Sequence, residues 1–203
     1  MTEHTQQPIP RAAIAAVGAL VVAVLVLVGM SLRRPELPVY AATPIGGERP
    51  AGAGPHLLTV DASDPELWRH VDLARGTVVD DPSAPWDLAF RRFEVRVNGG
   101  AGALGQAGVL DLGPVALDSL ASVPAEGYRG MEVAGRDTTL AALEHWYAYS
   151  YTTHVLRPLD QTFAFRTAYG RLAALRFVSY YCPGAQPGCV TLRYRFFDSA
   201  PAR

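Results

Sequence analysis

Between Ala12 and Leu32 the chain carries no charged residue, and the run is dominated by Ala, Val and Leu. At about 1.5 Å of rise per residue a helix of this length spans a hydrocarbon core of roughly 30 Å. A short tail at residues 1–11 and a transmembrane helix at 12–32 are therefore predicted. A cleaved signal peptide is the competing reading, since Arg11 precedes the run and Ala41-Ala42 follows it. Signal cores, however, are usually only about 7 to 15 residues long. Arg11 lies on one side of the run and Arg33-Arg34 on the other, so the positive-inside rule does not orient it. Residues 33–55 are rich in Pro, Gly and Ala and show no period, which predicts a stalk holding the folded part off the membrane.

From residue 56 to 203 the pattern changes to period-two alternation, the signature of half-buried strands. In Leu67–Leu73 the residues Leu67, Val71 and Leu73 share one face, and Trp68, His70 and Asp72 share the other, which reads as the solvent side. Ala74-Arg75-Gly76 turns the chain into Thr77-Val78-Val79, and Trp86–Val97 reads as one long strand ended by Asn98-Gly99-Gly100. The stretch to Gly108 is glycine-rich and reads as a loop. Three strands follow in succession near the C-terminus, Thr162–Thr167, Leu172–Tyr181 and Val190–Phe197; in the last, Val190, Leu192, Tyr194 and Phe196 alternate with Thr191, Arg193 and Arg195. One helix is expected at Thr138–Trp146, where Leu140, Leu143 and Tyr147 recur at helical spacing behind Asp137 or Thr138 as caps. The fold class is an all-β, antiparallel, meander-rich single domain with at most one short helix, preceded by the transmembrane helix.

With 18 basic and 19 acidic residues the net charge is −1, which argues against a nucleic-acid partner. Every basic residue is arginine, so lysine-dependent Schiff-base and phosphate-loop chemistry is excluded. The hydrophobic content of 49% is enough for a packed core. The two cysteines, Cys182 and Cys189, bracket Pro183–Gly188 between strand-like runs, which fits a disulfide in an oxidising compartment; two free thiols in a cytosolic loop are the alternative. Two cysteines are too few for a four-cysteine zinc or iron–sulfur site, and Cys-x-x-Cys-His haem attachment is absent. Nor is there a Gly-x-Ser-x-Gly or His-Glu-x-x-His motif, and the Gly-x-Gly-x-x-Gly spacing of Gly100–Gly105 falls in the glycine-rich stretch read as a loop, not in a strand-to-helix turn, so no enzymatic activity is expected. The remaining enzymatic alternative is an iron triad using His70, Asp72 and a distant histidine.

His145 and His154 bound a stretch rich in tyrosine that also contains Trp146. Aromatic walls with a neutral imidazole suit a flat apolar cofactor such as haem, and tyrosine or methionine can also ligate its iron, which adds Tyr151 and Met131. The alternative is that these rings pack a sheet and His154 is an ordinary core or edge histidine.

Trp86-Asp87-Leu88-Ala89-Phe90-Arg91-Arg92, followed by Asn98-Gly99-Gly100, resembles the motif of the HmuY-like family of bacterial haem-binding proteins. Trp146-Tyr147, Thr153-His154, Arg166–Arg171 and Ser179-Tyr180-Tyr181 are similar to that family in the same order, so the likeness runs from Leu67 to Phe197. It implies an all-β fold and a haemophore role, in which an exported, membrane-attached protein captures haem and passes it to an uptake system such as a membrane transporter. It also implies two axial ligands on the iron. His154 sits within matching text; His145 and Met131 are candidates for the second position. The chain departs from the family in its anchor, an apolar helix in place of a lipidated cysteine. The picture to be tested is a C-terminal sheet that encloses or flanks an apolar slot, with an imidazole aimed into it. A cofactor-free β-domain that binds a protein partner, or serves a membrane complex as an accessory subunit, is the alternative.

Overall fold

The computed structural model describes residues 10–32, 36–47, 54–135 and 137–197. Two compact units divide the chain, Met1–Glu36 with Tyr149–Val155 and Leu37–Ala148 with Leu156–Arg203. In the first, α1 (Arg11–Leu32) is 22 residues long, apolar on every side, with none of its residues buried. It is long and apolar enough to cross a membrane.

The second unit holds most of the β structure. One five-stranded antiparallel sheet combines β1 (His56–Asp61), β6 (Gly108–Asp111), β11 (Phe163–Arg166), β12 (Leu172–Cys182) and β13 (Gln186–Phe197) in the order β1-β13-β12-β11-β6. A four-stranded sheet has the order β3-β2-β4-β5, from β2 (Arg69–Asp72), β3 (Thr77–Val79), β4 (Leu88–Arg91) and β5 (Glu94–Val97). A ribbon of β7 (Glu132–Ala134) with β8 (Asp137–Thr139) completes it; a second ribbon pairs β9 (Tyr147–Ser150) with β10 (Val155–Pro158), and its residues Tyr149–Val155 belong to the first unit. The C-terminal strands form as the alternation predicts. Leu175, Phe177, Leu192, Tyr194 and Phe163 are buried, and β11, β12 and β13 follow one another as antiparallel neighbours. Phe90 of β4 meets Phe177 of β12 edge to face at 6.5 Å, and the Tyr194 hydroxyl donates to the Leu73 carbonyl at 3.0 Å, so the two sheets share one core.

Three local expectations change. The single strand read over Trp86–Val97 is a hairpin: Arg92 turns at φ 54°, and Leu88 pairs with Val97. A left-handed arginine in a two-residue turn has no glycine or asparagine to announce it. The helix read over Thr138–Trp146 shrinks to one turn, α2 (Ala141–Glu144), because Asp137–Thr139 pairs with β7; neither Asp137 nor Thr138 is its cap, which falls on Leu140. Trp146 leaves the helical path to enter the core, stacked on Phe177 at 4.3 Å, with its indole N–H donated to the Phe93 carbonyl at 2.9 Å. The His70–Asp72 face is not the solvent side: Asp72 is buried and His70 half-buried.

Part of the stretch read as a stalk is bound to the sheets. Ser179 Oγ donates to the Pro38 carbonyl, and Val39 bridges Tyr181. Thr43 N–H donates to the Thr59 carbonyl at 2.8 Å, and Thr59 N–H donates to Thr43 Oγ1 at 3.1 Å. Gly46 N–H donates to the Val78 carbonyl at 3.1 Å. Leu37–Gly47 is therefore a strap running from β1, an outer strand of the larger sheet, to β3, an outer strand of the smaller one.

Asp87 explains why the Trp-Asp-Leu-Ala-Phe block marks the fold. Its carboxylate is buried and accepts N–H bonds from Leu73 at 2.9 Å and Ala168 at 2.8 Å, joining the end of β2 to the β11–β12 turn. Burial pushes its pKa up to about 6, against the lowering by its two N–H donors. The glycines downstream serve close approach. A Cβ on Gly99 would collide with the Ala107 backbone, and one on Gly130 would lie 2.6 Å from Gly99.

Candidate functional site

The β9–β10 ribbon brings His154 to a four-residue turn, Tyr151–His154, where the histidine takes φ 54°. A left-handed conformation costs an ordinary residue energy, and histidine is among the side chains found there more often than most. The turn is held by its own hydroxyls. Ser150 Oγ lies 3.1 Å from Thr152 Oγ1, and it accepts from Thr153 Oγ1 at 2.8 Å and from Thr153 N–H at 3.3 Å.

His154 is exposed, and its Nδ1 lies 2.8 Å from the Tyr149 hydroxyl. Either partner can donate in this bond; in the tautomer with the proton on Nδ1, Nε2 keeps a free lone pair that can bind a metal. Tyr151, 84% exposed, stands edge-on to Tyr149 with ring centroids 5.2 Å apart. An imidazole with an oriented second nitrogen beside two tyrosine rings can hold an iron atom and pack against the flat group around it.

The other proposed ligands are placed less favourably. His145 is exposed and follows α2 as its C-cap. Met131 is 6% exposed and locked by backbone bonds, its N–H to the Gly99 carbonyl and its carbonyl to the Ala101 N–H, both 2.7 Å. A thioether in the core is closed to a ligand unless that segment moves, whereas the exposed His154 imidazole is open to one.

The C-terminal sheet does not enclose an open slot along its inner face among the described residues, because that face is filled by Phe163, Leu175, Phe177, Leu192 and Tyr194. A cleft of about 210 Å³ lies instead beside β5, lined by residues that include Trp68, Phe93, Arg96, Leu143, Glu144 and Tyr147. That is below the roughly 300 to 1,000 Å³ of small-molecule sites. Arg96 and Arg91 lie over the Trp68 ring at 4.2 and 4.7 Å from its centroid. Sequence reasoning gave this cleft no role, since its walls come from segments far apart in the chain.

Among the described residues no metal triad forms around His70. Its ring stands edge-on to Trp86 at 4.9 Å, and burial holds its pKa below the usual histidine value. Asp72 Oδ1 accepts the Arg75 N–H at 3.0 Å. Among the described residues the one group of three metal-ligating side chains within reach of one another is Asp61, Cys182 and Cys189. The two cysteines are joined in a disulfide, as the loop between them predicted, and no free cysteine remains.

No protein-family model matches the sequence, and a search of curated proteins gives no match. Solved structures do resemble the chain. A Bacteroides fragilis protein described as a lipoprotein matches with TM-score 0.59 at 20% identity, over 75% of this chain and 95% of that one. A Bacteroides vulgatus protein described as HmuY-like and haem-binding matches with TM-score 0.56 at 18% identity, over 75% of this chain and 99% of that one. The apo HmuY analogue of Tannerella forsythia matches with TM-score 0.57 at 16% identity, over 71% and 96%. This chain thus shares the fold of HmuY-like haem-binding proteins, as the ordered motifs from Trp86 to Tyr181 implied.

Proposed function

We propose that this protein binds haem non-covalently outside the cytoplasmic membrane, anchored by α1, and hands it on to a membrane transporter or complex. The observation that carries the reading is the exposed His154 imidazole with its second nitrogen held by Tyr149. The HmuY-like fold supports it, as does the disulfide, which suits an oxidising compartment. His154 would hold the haem iron, with Tyr151, His145 or, if its segment opened, Met131 as the second donor. When bound, haem supplies an iron centre and an apolar plane, and the residues of this chain contribute orientation and packing. Tyr149 holds the orientation of the His154 ring, while the Tyr149 and Tyr151 rings offer apolar faces.

The test is a haemin titration of the full chain in detergent, followed in the Soret band. One equivalent bound, with a low-spin spectrum, supports the reading. The filled sheet interior favours a second reading, a cofactor-free β-domain that binds a protein partner. A titration with no saturable Soret change, together with a stoichiometric protein partner co-purifying with the colourless chain, establishes that reading instead.

A further inference from the structure

We propose that Leu37–Gly47 is a displaceable cover over a strand-acceptor edge, and that β1, once uncovered, pairs with β1 of a second copy of this chain. An outer strand presents unpaired N–H and C=O groups that will accept another strand unless something blocks them. On β1 the blocking group is Thr43. Its N–H and its hydroxyl together satisfy both backbone groups of Thr59, at the middle of the strand's free edge. Thr59 N–H and C=O face away from β13, so by the alternation of an antiparallel ladder those of Leu57 and Asp61 do too.

The cover is built to come off. No residue from Leu37 to Gly47 is buried, Val39 is 43% exposed and Ile45 50% exposed, and the strap's recorded bonds run through backbone groups and three hydroxyls. Little apolar area therefore resists its release. What lies beneath is suited to self-pairing. From His56 to Val60 the strand has no Asp, Glu, Lys or Arg, and Leu57 is 45% exposed. A two-fold axis at Thr59 sets Thr59 opposite its counterpart and Leu57 opposite Asp61. The Asp61 carboxylates, the charged groups of the strand, then avoid each other. The product is a continuous sheet across two copies. β3 is a poorer acceptor, being three residues long.

The experiment uses the full chain in detergent with the variant Thr43→Pro, which removes the N–H and the hydroxyl at once. Mass by sedimentation is read over a range of protein concentrations beside amide exchange across His56–Asp61. The wild type is expected to be monomeric and Thr43→Pro dimeric, with the Thr59 amide protected in the dimer. Adding Leu57→Lys to Thr43→Pro is expected to restore the monomer and to speed Thr59 exchange at least tenfold, because a lysine on the edge opposes pairing. A Thr43→Pro chain that stays monomeric overturns the proposal, whether its Thr59 amide exchanges fast or slowly. So does a dimer that Leu57→Lys leaves intact, or a strand edge taken up by a different co-purifying protein. If Thr43→Pro loses its near-ultraviolet dichroism, Thr43→Ala takes its place. It keeps the N–H, and a smaller dimer fraction with faster Thr59 exchange in the monomer is expected; a monomer at every concentration refutes the proposal equally.

Discussion

Asp87 carries a stability signature that can be measured directly. Its carboxyl is 3% exposed, and its pKa stands at about 6 against an ordinary 3.8. Between these values the folded chain holds a proton that the unfolded chain has released, so stability falls as pH rises from about 4 to 7. The gap of roughly 2 pKa units, at 1.36 kcal/mol each, makes that loss about 3 kcal/mol, a large share of a typical folding free energy. The Asp87→Asn substitution removes the titration while keeping the shape. It retains one acceptor for the N–H groups of Leu73 and Ala168 and turns an amide towards the other, which costs about 1 to 3 kcal/mol at any pH. Urea denaturation of both proteins from pH 4 to 8 is the assay. The stability of wild type minus that of Asp87→Asn is predicted to fall by about 2 to 3 kcal/mol across the range, with most of the change between pH 4 and pH 6. A difference that is flat with pH, or that rises with it, refutes the reasoning.

Two further outcomes follow from the packing. Trp146→Ala removes a ring stacked on Phe177 and the bond to the Phe93 carbonyl, and is predicted to cost about 3 to 5 kcal/mol; Trp146→Phe is expected to cost less in the same denaturation assay. Replacing Cys182 and Cys189 together by serine opens a short loop and is predicted to lower stability by about 2 to 3 kcal/mol, while alkylation and mass spectrometry of the native chain find no free thiol.

The elements that were legible in the sequence are those in which one local rule governs. The β11–β13 meander follows from strict alternation between long runs, α1 from an uninterrupted apolar stretch, and the disulfide from two cysteines flanking a Pro-Gly loop. The β4–β5 hairpin was hidden because Arg92 turns without a turn residue. The strap was hidden because its bonds are made by backbone groups to residues far along the chain, such as Thr59, Val78 and Ser179, and leave no pattern in Pro- and Ala-rich text. At the candidate site the sequence picked out the tyrosine-rich turn and His154. It did not show that Tyr149 holds the imidazole or that Met131 lies in the core, since both depend on how the ribbon and the glycine-rich loop fold.

The central claim is that His154 is a haem ligand. Its most direct test compares the low-temperature electron paramagnetic resonance of the ferric haemin complex in the wild-type chain and in His154→Ala. The account predicts a low-spin signal in the wild type that gives way to high-spin iron in His154→Ala, whereas an identical low-spin signal in both proteins contradicts it.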